Sequence, residues 1–166
     1  MGPRIPLTPQ QREALSGPDF VLPQASDTFE LGRRLAAVLR AGDLLVLTGP
    51  LGAGKTALVQ GIGAGLGVGG TVVSPTFVIA RVHRGPLPLV HVDAYRLRSM
   101  AEVDDLDLDV DAADAVTAVE WGAGLVEQLS DAHLEIAIDR AEVGEERYVR
   151  LFPHGGDWAE RVASLR

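Results

Sequence analysis

Along the chain, short aliphatic runs alternate with stretches whose apolar residues recur every three to four positions. The clearest run is Asp43 to Thr48 (DLLVLT), whose unbroken aliphatic centre marks a strand buried on both faces. Comparable runs at 77–83, 88–92, 115–120, 134–139 and 147–152 predict further strands. Phe20-Val21-Leu22, ended by Pro23, predicts a short edge strand. Leu31, Leu35, Val38 and Leu39 share one face at helical spacing. They predict a helix capped by Asp27, supported by Glu30 three residues on, and closed near Gly42. A second helix is expected over Ala57 to Leu66, with Gly67, Gly69 and Gly70 ending it. Short helices at 122–129 and about 157–165 complete the set. Strands alternate with helices in the first half, and the second half is richer in strands. That order predicts an α/β three-layer sandwich around a mixed, mainly parallel central sheet.

At 166 residues the chain suits one domain, expected over 19–166, behind a flexible Pro- and Gln-rich arm at 1–18. Hydrophobic residues are 46% and charged residues 23%, which excludes a disordered or fibrous chain. The absence of cysteine excludes a disulfide scaffold, a zinc–cysteine site and a cysteine nucleophile. The formal charge of −8 opposes any gathering of nucleic-acid phosphates by the overall field, so direct binding of DNA or tRNA is not expected. No apolar stretch is long enough to span a membrane, and the first residues lack the apolar core of a signal peptide. Pro6 breaks the myristoylation pattern. A cytoplasmic protein without membrane contact is the expectation.

The chemistry concentrates after the first long strand. Gly49-Pro50-Leu51-Gly52-Ala53-Gly54-Lys55-Thr56 matches the phosphate-loop pattern G-x-x-x-x-G-K-T in full, between a predicted strand and a predicted helix. Glycines at 49, 52 and 54 permit backbone angles that side chains forbid. The N–H groups so exposed can converge on phosphate oxygens, and the helix start adds its own free donors. Lys55 brings a mobile cation to the outer phosphates, and Thr56 offers a hydroxyl to Mg²⁺. Lys55 is also the only lysine in the chain; every other basic residue is arginine. A compact ammonium stands where a planar guanidinium would not fit. A P-loop NTPase-like fold that binds a nucleotide follows.

Such a site needs a carboxylate at the end of a neighbouring strand. Asp93 and Glu120 each close an apolar run, where open α/β sheets place their ligands. Either can serve Mg²⁺ or the attacking water, and residue patterns alone do not divide those roles. Ser74-Pro75-Thr76-Phe77 can carry a hydroxyl toward the γ-phosphate as a switch, or be simple turn chemistry. His91 lies inside the run ending at Asp93 and is expected to be buried and hydrogen-bonded; His83, His133 and His154 are expected at the surface. Arg140, Arg147 and Arg150 are candidates for a phosphate-contacting arginine or for solvated positions on late strands.

Four motifs together resemble the bacterial TsaE (YjeE) family of P-loop ATPases: LTGPLGAGKT at 47–56, SPTF at 74–77, HVDAYRL at 91–97 and VEW at 119–121. The likeness covers about residues 20–152. It implies that Leu51, Gly52, Ala53, Gly54, Lys55 and Thr56 bind the phosphates of ATP or ADP. It implies that Thr56 and Glu120 hold Mg²⁺, that Asp93 serves hydrolysis, and that Trp121 has a functional part beside Glu120. Gly144, in the Val143-Gly144-Glu145 turn, is placed near the nucleotide. The family belongs to tRNA threonylcarbamoyladenosine (t6A) synthesis, so the implied partners are TsaB and TsaD, with tRNA met only through them. The segment at 99–114 departs from the family in its acidity and is a candidate partner contact. Two other functions remain open on the residues: a small-molecule kinase using the same loop, and a nucleotide-sensing docking module without hydrolysis.

Overall fold

The computed structural model describes residues 18–50, 52–69, 72, 80–93, 112–120 and 131–165. The arm at 1–17, the expected strand residues 77–79 and the expected helix at 122–129 lie outside these. Seven strands form one sheet: β1 (Phe20–Leu22), β2 (Leu44–Thr48), β3 (Ala80–His83), β4 (Leu89–Asp93), β5 (Val116–Glu120), β6 (His133–Arg140) and β7 (Arg147–His154). Their order is β1-β7-β6-β2-β5-β4-β3. The central pairs β6–β2, β2–β5 and β5–β4 are parallel, and the outer pairs are antiparallel. The expected mixed, mainly parallel α/β sheet is therefore present. The continuous aliphatic run of β2 and the largely apolar run of β4 occupy interior positions because only there are both faces covered.

Three α-helices are described: α1 (Ala25–Ala36), α2 (Lys55–Leu66) and α3 (Trp158–Ala163). Both boundaries of α1 differ from the sequence pattern. Asp27 is not the cap of α1; Gln24 is. Asp27 sits three residues on, and its carboxylate accepts the Gln24 N–H at 2.9 Å, so it satisfies a helix-end donor from inside the first turn. The helix also ends at Ala36, not near Gly42. Asp43 explains this: its carboxylate takes the Arg40 N–H at 2.6 Å while its own N–H reaches the Arg40 carbonyl at 3.1 Å, which turns the chain into β2. Leu39, apolar at helical spacing, is buried beyond the helix end.

Register divides the side chains between two faces. Leu45, Leu47, Leu89, Val116, Ala118, Leu134, Ile136 and Ile138 join α1, α2 and α3 in the larger core. Leu44, Val46, Val90, Val92, Ala115 and Val119 form a smaller cluster on the other face. On the larger side α1 and α2 meet backbone to backbone. A Cβ built on Gly61 would fall on the Phe29 carbonyl, and one on Gly32 would fall on the Leu58 carbonyl. This approach fixes the height of α2 over the sheet, and with it the start of α2 at the strand ends.

Before the start of β2, α3 is locked by Arg161. Its guanidinium forks onto Asp43 at 2.6 and 3.0 Å, donates to the Val38 carbonyl at 3.0 Å, and lies 3.8 Å above the Trp158 ring. Nε holds Asp157 at 3.0 Å. The forked geometry on Asp43 raises the guanidinium pKa despite the opposing effect of burial. Two histidines expected at the surface are buried instead: His83, and His133, which stacks on His154 at 4.4 Å. Strand pairing explains the first, because His83 stands opposite Leu89 and shares its core face.

Candidate functional site

The loop between β2 and α2 has the backbone that its glycines allow. Gly52 and Gly54 take φ of 77° and 106°, values that a Cβ disfavours. Gly49 is needed for a different reason: a Cβ there would collide with the Ile138 carbonyl of β6. Gly54 caps α2, which begins at Lys55, two residues before the position the apolar pattern suggested. Lys55 and Thr56 thus stand in the first turn of the helix, among backbone donors that have no intrahelical acceptor. Ala53 is fully buried and anchors the loop, with its N–H donated to the Pro50 carbonyl at 3.1 Å.

Lys55 is buried, and its Nζ donates to the carbonyls of Gly49 at 2.7 Å and Pro50 at 3.0 Å. Burial pushes the ammonium pKa down, while the carboxylates of Glu120 and Asp93 work against that shift. Those two residues face each other across the β4–β5 pair, on strands that lie about 4.8 Å apart. Leu47 of β2 is in register with Glu120, so both carboxylates sit at the strand ends from which the loop departs. The structure therefore brings Lys55, Asp93 and Glu120 into one electrostatic cluster. Glu120 is itself buried, and its Oε2 lies 2.7 Å from Nε2 of His91, which is wholly enclosed as expected.

Side-chain parity separates the three late arginines. Arg140 and Arg147 share the face of Ile138, whereas Arg150 pairs with Ala137 and lies on the face of Thr48. Arg140 belongs to the loop: its Nη1 is 3.4 Å from where a Gly52 Cβ would be. Arg147 donates to the neighbouring Glu146 carbonyl. Arg150 lines a pocket of about 260 Å³ behind Gly49 and Pro50. Thr28, in the first turn of α1, is buried with its methyl 3.6 Å from where a Gly54 Cβ would be. Sequence reading passed over Thr28, because a threonine near a helix start reads as ordinary capping. Gly144 has φ of 93° and open space around it on the β6–β7 turn, and no described residue ties it to the loop. Leu51, Trp121 and the SPTF motif lie outside the described residues.

The donors available are hard oxygens: the Thr56 hydroxyl and the carboxylates of Glu120 and Asp93. Among the described residues no group of three or more His, Asp or Glu could cage a metal ion. That combination suits Mg²⁺, which takes one or two carboxylates together with substrate phosphates, rather than a metal held by protein alone. Among the same residues no helix is long and apolar enough to cross a membrane.

Sheet order, loop and helix start define an α/β protein with a P-loop-like fold. Comparison with known proteins narrows this. Residues 22–149 match the family described as "Threonylcarbamoyl adenosine biosynthesis protein TsaE". The tRNA threonylcarbamoyladenosine biosynthesis protein TsaE of Streptomyces coelicolor is 58% identical over 144 residues, covering 82% of this chain and 97% of that protein. Its counterpart in Mycobacterium tuberculosis is 47% identical over 150 residues, covering 84% and 89%. The crystal structure of YdiB from Bacillus subtilis superposes with a TM-score of 0.70 at 31% identity, over 88% of this chain and 91% of that one. The chain belongs to the TsaE family.

Proposed function

We propose that this protein is an ATP-binding and ATP-hydrolysing subunit of the bacterial t6A-modification machinery, acting in the cytoplasm with TsaB and TsaD. The observation that carries the reading is the cluster of Lys55, Asp93 and Glu120 at the mouth of a glycine-turned loop, in a member of the TsaE family. The loop N–H groups and the first turn of α2 receive the β- and γ-phosphates. Lys55 exchanges its two carbonyl acceptors for phosphate oxygens, a stronger pairing because the new acceptors are charged. Thr56 and Glu120 hold Mg²⁺, which when bound neutralises phosphate charge. Asp93, one strand from Glu120, orients the attacking water. The net charge of −8 fits a subunit that leaves tRNA to its partners.

The test combines calorimetry with turnover. ADP with Mg²⁺ should bind the wild type, and Lys55→Ala should abolish that binding in a chain that still melts cooperatively. Asp93→Asn should keep nucleotide binding but lose ATP turnover and tRNA modification in the presence of TsaB and TsaD. Unchanged ADP uptake by Lys55→Ala would refute the site. ADP formation strictly dependent on an added hydroxyl-bearing metabolite would identify a kinase instead. Intact modification by Asp93→Asn would favour a docking module that does not hydrolyse.

A further inference from the structure

His91 stands two residues before Asp93 on β4 and is enclosed completely. Its Nε2 is 2.7 Å from Glu120 Oε2, within hydrogen-bond distance. Its other ring nitrogen, Nδ1, is buried with no hydrogen-bond partner among the described residues. A proton on Nδ1 would be a donor stranded in the core, whereas an unshared lone pair there is far less costly. Nε2 is therefore the nitrogen that donates, and the Glu120 carboxylate accepts. Glu120 pairs with Asp93 and the adjacent Ala118 pairs with His91, so acceptor and donor are built into one strand register.

We propose that His91 is a positioning residue for the divalent cation: by engaging Oε2 it fixes the Glu120 side chain and leaves Oε1 as the oxygen offered to Mg²⁺. This rests on the reading of Glu120 as a magnesium ligand given above. An outer partner of this kind does more than fill the core. It removes the rotational freedom of a carboxylate that otherwise has to be frozen when the ion binds. A histidine kept only for packing could be replaced by an apolar residue of similar volume without any effect on the ion.

The experiment measures the Mg²⁺ concentration needed to tighten ADP binding, by calorimetry on the full chain. His91→Leu preserves volume and removes the donor. His91→Asn keeps an amide that is too short to reach Glu120, and His91→Gln carries one about as far as Nε2. Leu and Asn should raise the half-effective Mg²⁺ concentration roughly 10–100-fold, with Gln close to wild type and Mg²⁺-free ADP affinity unchanged in all three. Wild-type Mg²⁺ response in the Leu and Asn variants would overturn the proposal. So would an equal loss in Asn and Gln. Should His91→Leu fail to fold, the Asn and Gln comparison decides alone. Absence of any Mg²⁺ response in the wild type is a different result, and it would remove the metal reading itself.

Discussion

Gly61→Ala tests the contact that sets the height of the phosphate-loop helix. In isolation the change favours folding, since Ala is better than Gly in a helix interior by about 1 kcal/mol. In this structure the new methyl would lie on the Phe29 carbonyl oxygen, well inside the 3.0 Å that real Cβ atoms keep, and 2.8 Å from its carbon. Both atoms are backbone, so no side chain can rotate away. Either α1 or α2 must move on the order of an ångström. Overpacking of this sort costs about 1–3 kcal/mol, and a collision with immobile backbone belongs at the upper end. Subtracting the helix gain leaves a net loss of about 2 kcal/mol, hence a fall of about 4–8 °C in melting temperature for a chain of this size. Thermal unfolding followed by circular dichroism reads it directly. The added methyl would also stand 3.1 Å from the Cα of Gly32. Gly32→Ala forces the same pair of helices apart, so the double variant should lose less than the sum of the two singles. A single variant that melts at or above the wild type, or strict additivity in the double, would refute the close approach.

Lys55→Met should leave the nucleotide-free protein as stable as the wild type or more so, while abolishing stabilisation by ADP. Burial holds the folded-state pKa of Lys55 below its ordinary 10.5, so the unfolded chain keeps the proton more tightly. Stability due to this group therefore rises with pH from the folded value up to 10.5, and the advantage of Lys55→Met should shrink across that window. A gap that widens with pH would contradict the sign. Arg161→Lys should cost about 2 kcal/mol in urea unfolding, because an ammonium cannot make both bonds of the fork to the buried Asp43. A loss within error would show that charge alone suffices. Arg140→Ala should weaken ADP binding several-fold at unchanged melting temperature, because this side chain borders Gly52 yet is exposed. Equal affinity would leave Arg140 as a solvated strand end.

Much of the scaffold was legible because it rests on local rules. Interior strands announce themselves by aliphatic runs, and the loop by glycines whose φ angles admit little else. What local rules do not carry is pairing. Nothing in the neighbourhood of His83 marks it as buried; that follows from its standing opposite Leu89 on an antiparallel neighbour. The end of α1 was misplaced for a similar reason. Leu39 keeps the helical spacing, but the Asp43 carboxylate, itself engaged by Arg161 from α3, turns the backbone first. Arg140 and Arg150 look alike along the chain, and only strand parity puts one beside the loop and the other behind it.

Parity is also why the site depends on the whole central sheet and not on the loop alone. Asp93, His91 and Glu120 reach the α2 face because β4 and β5 pair as Asp93 with Glu120 and His91 with Ala118. A slip of one residue in either strand would send that strand's polar residues to the opposite face and its small aliphatic set, such as Val90 and Val92, toward α2. The smaller cluster on the far face, built from Val90, Val92, Val46 and Val119, penalises that slip, because polar side chains would take the place of valines that are now almost wholly buried. Those apolar residues touch no candidate ligand, yet they hold two acidic side chains opposite the chain's one lysine. The cost of the arrangement falls on Lys55, whose burial depresses its pKa. A buried ammonium tethered to two backbone carbonyls is a poor way to stabilise a fold and a good way to prepare for a polyanion. On the function proposed above, the stability of the protein without nucleotide and its readiness for phosphate are opposed at a single side chain.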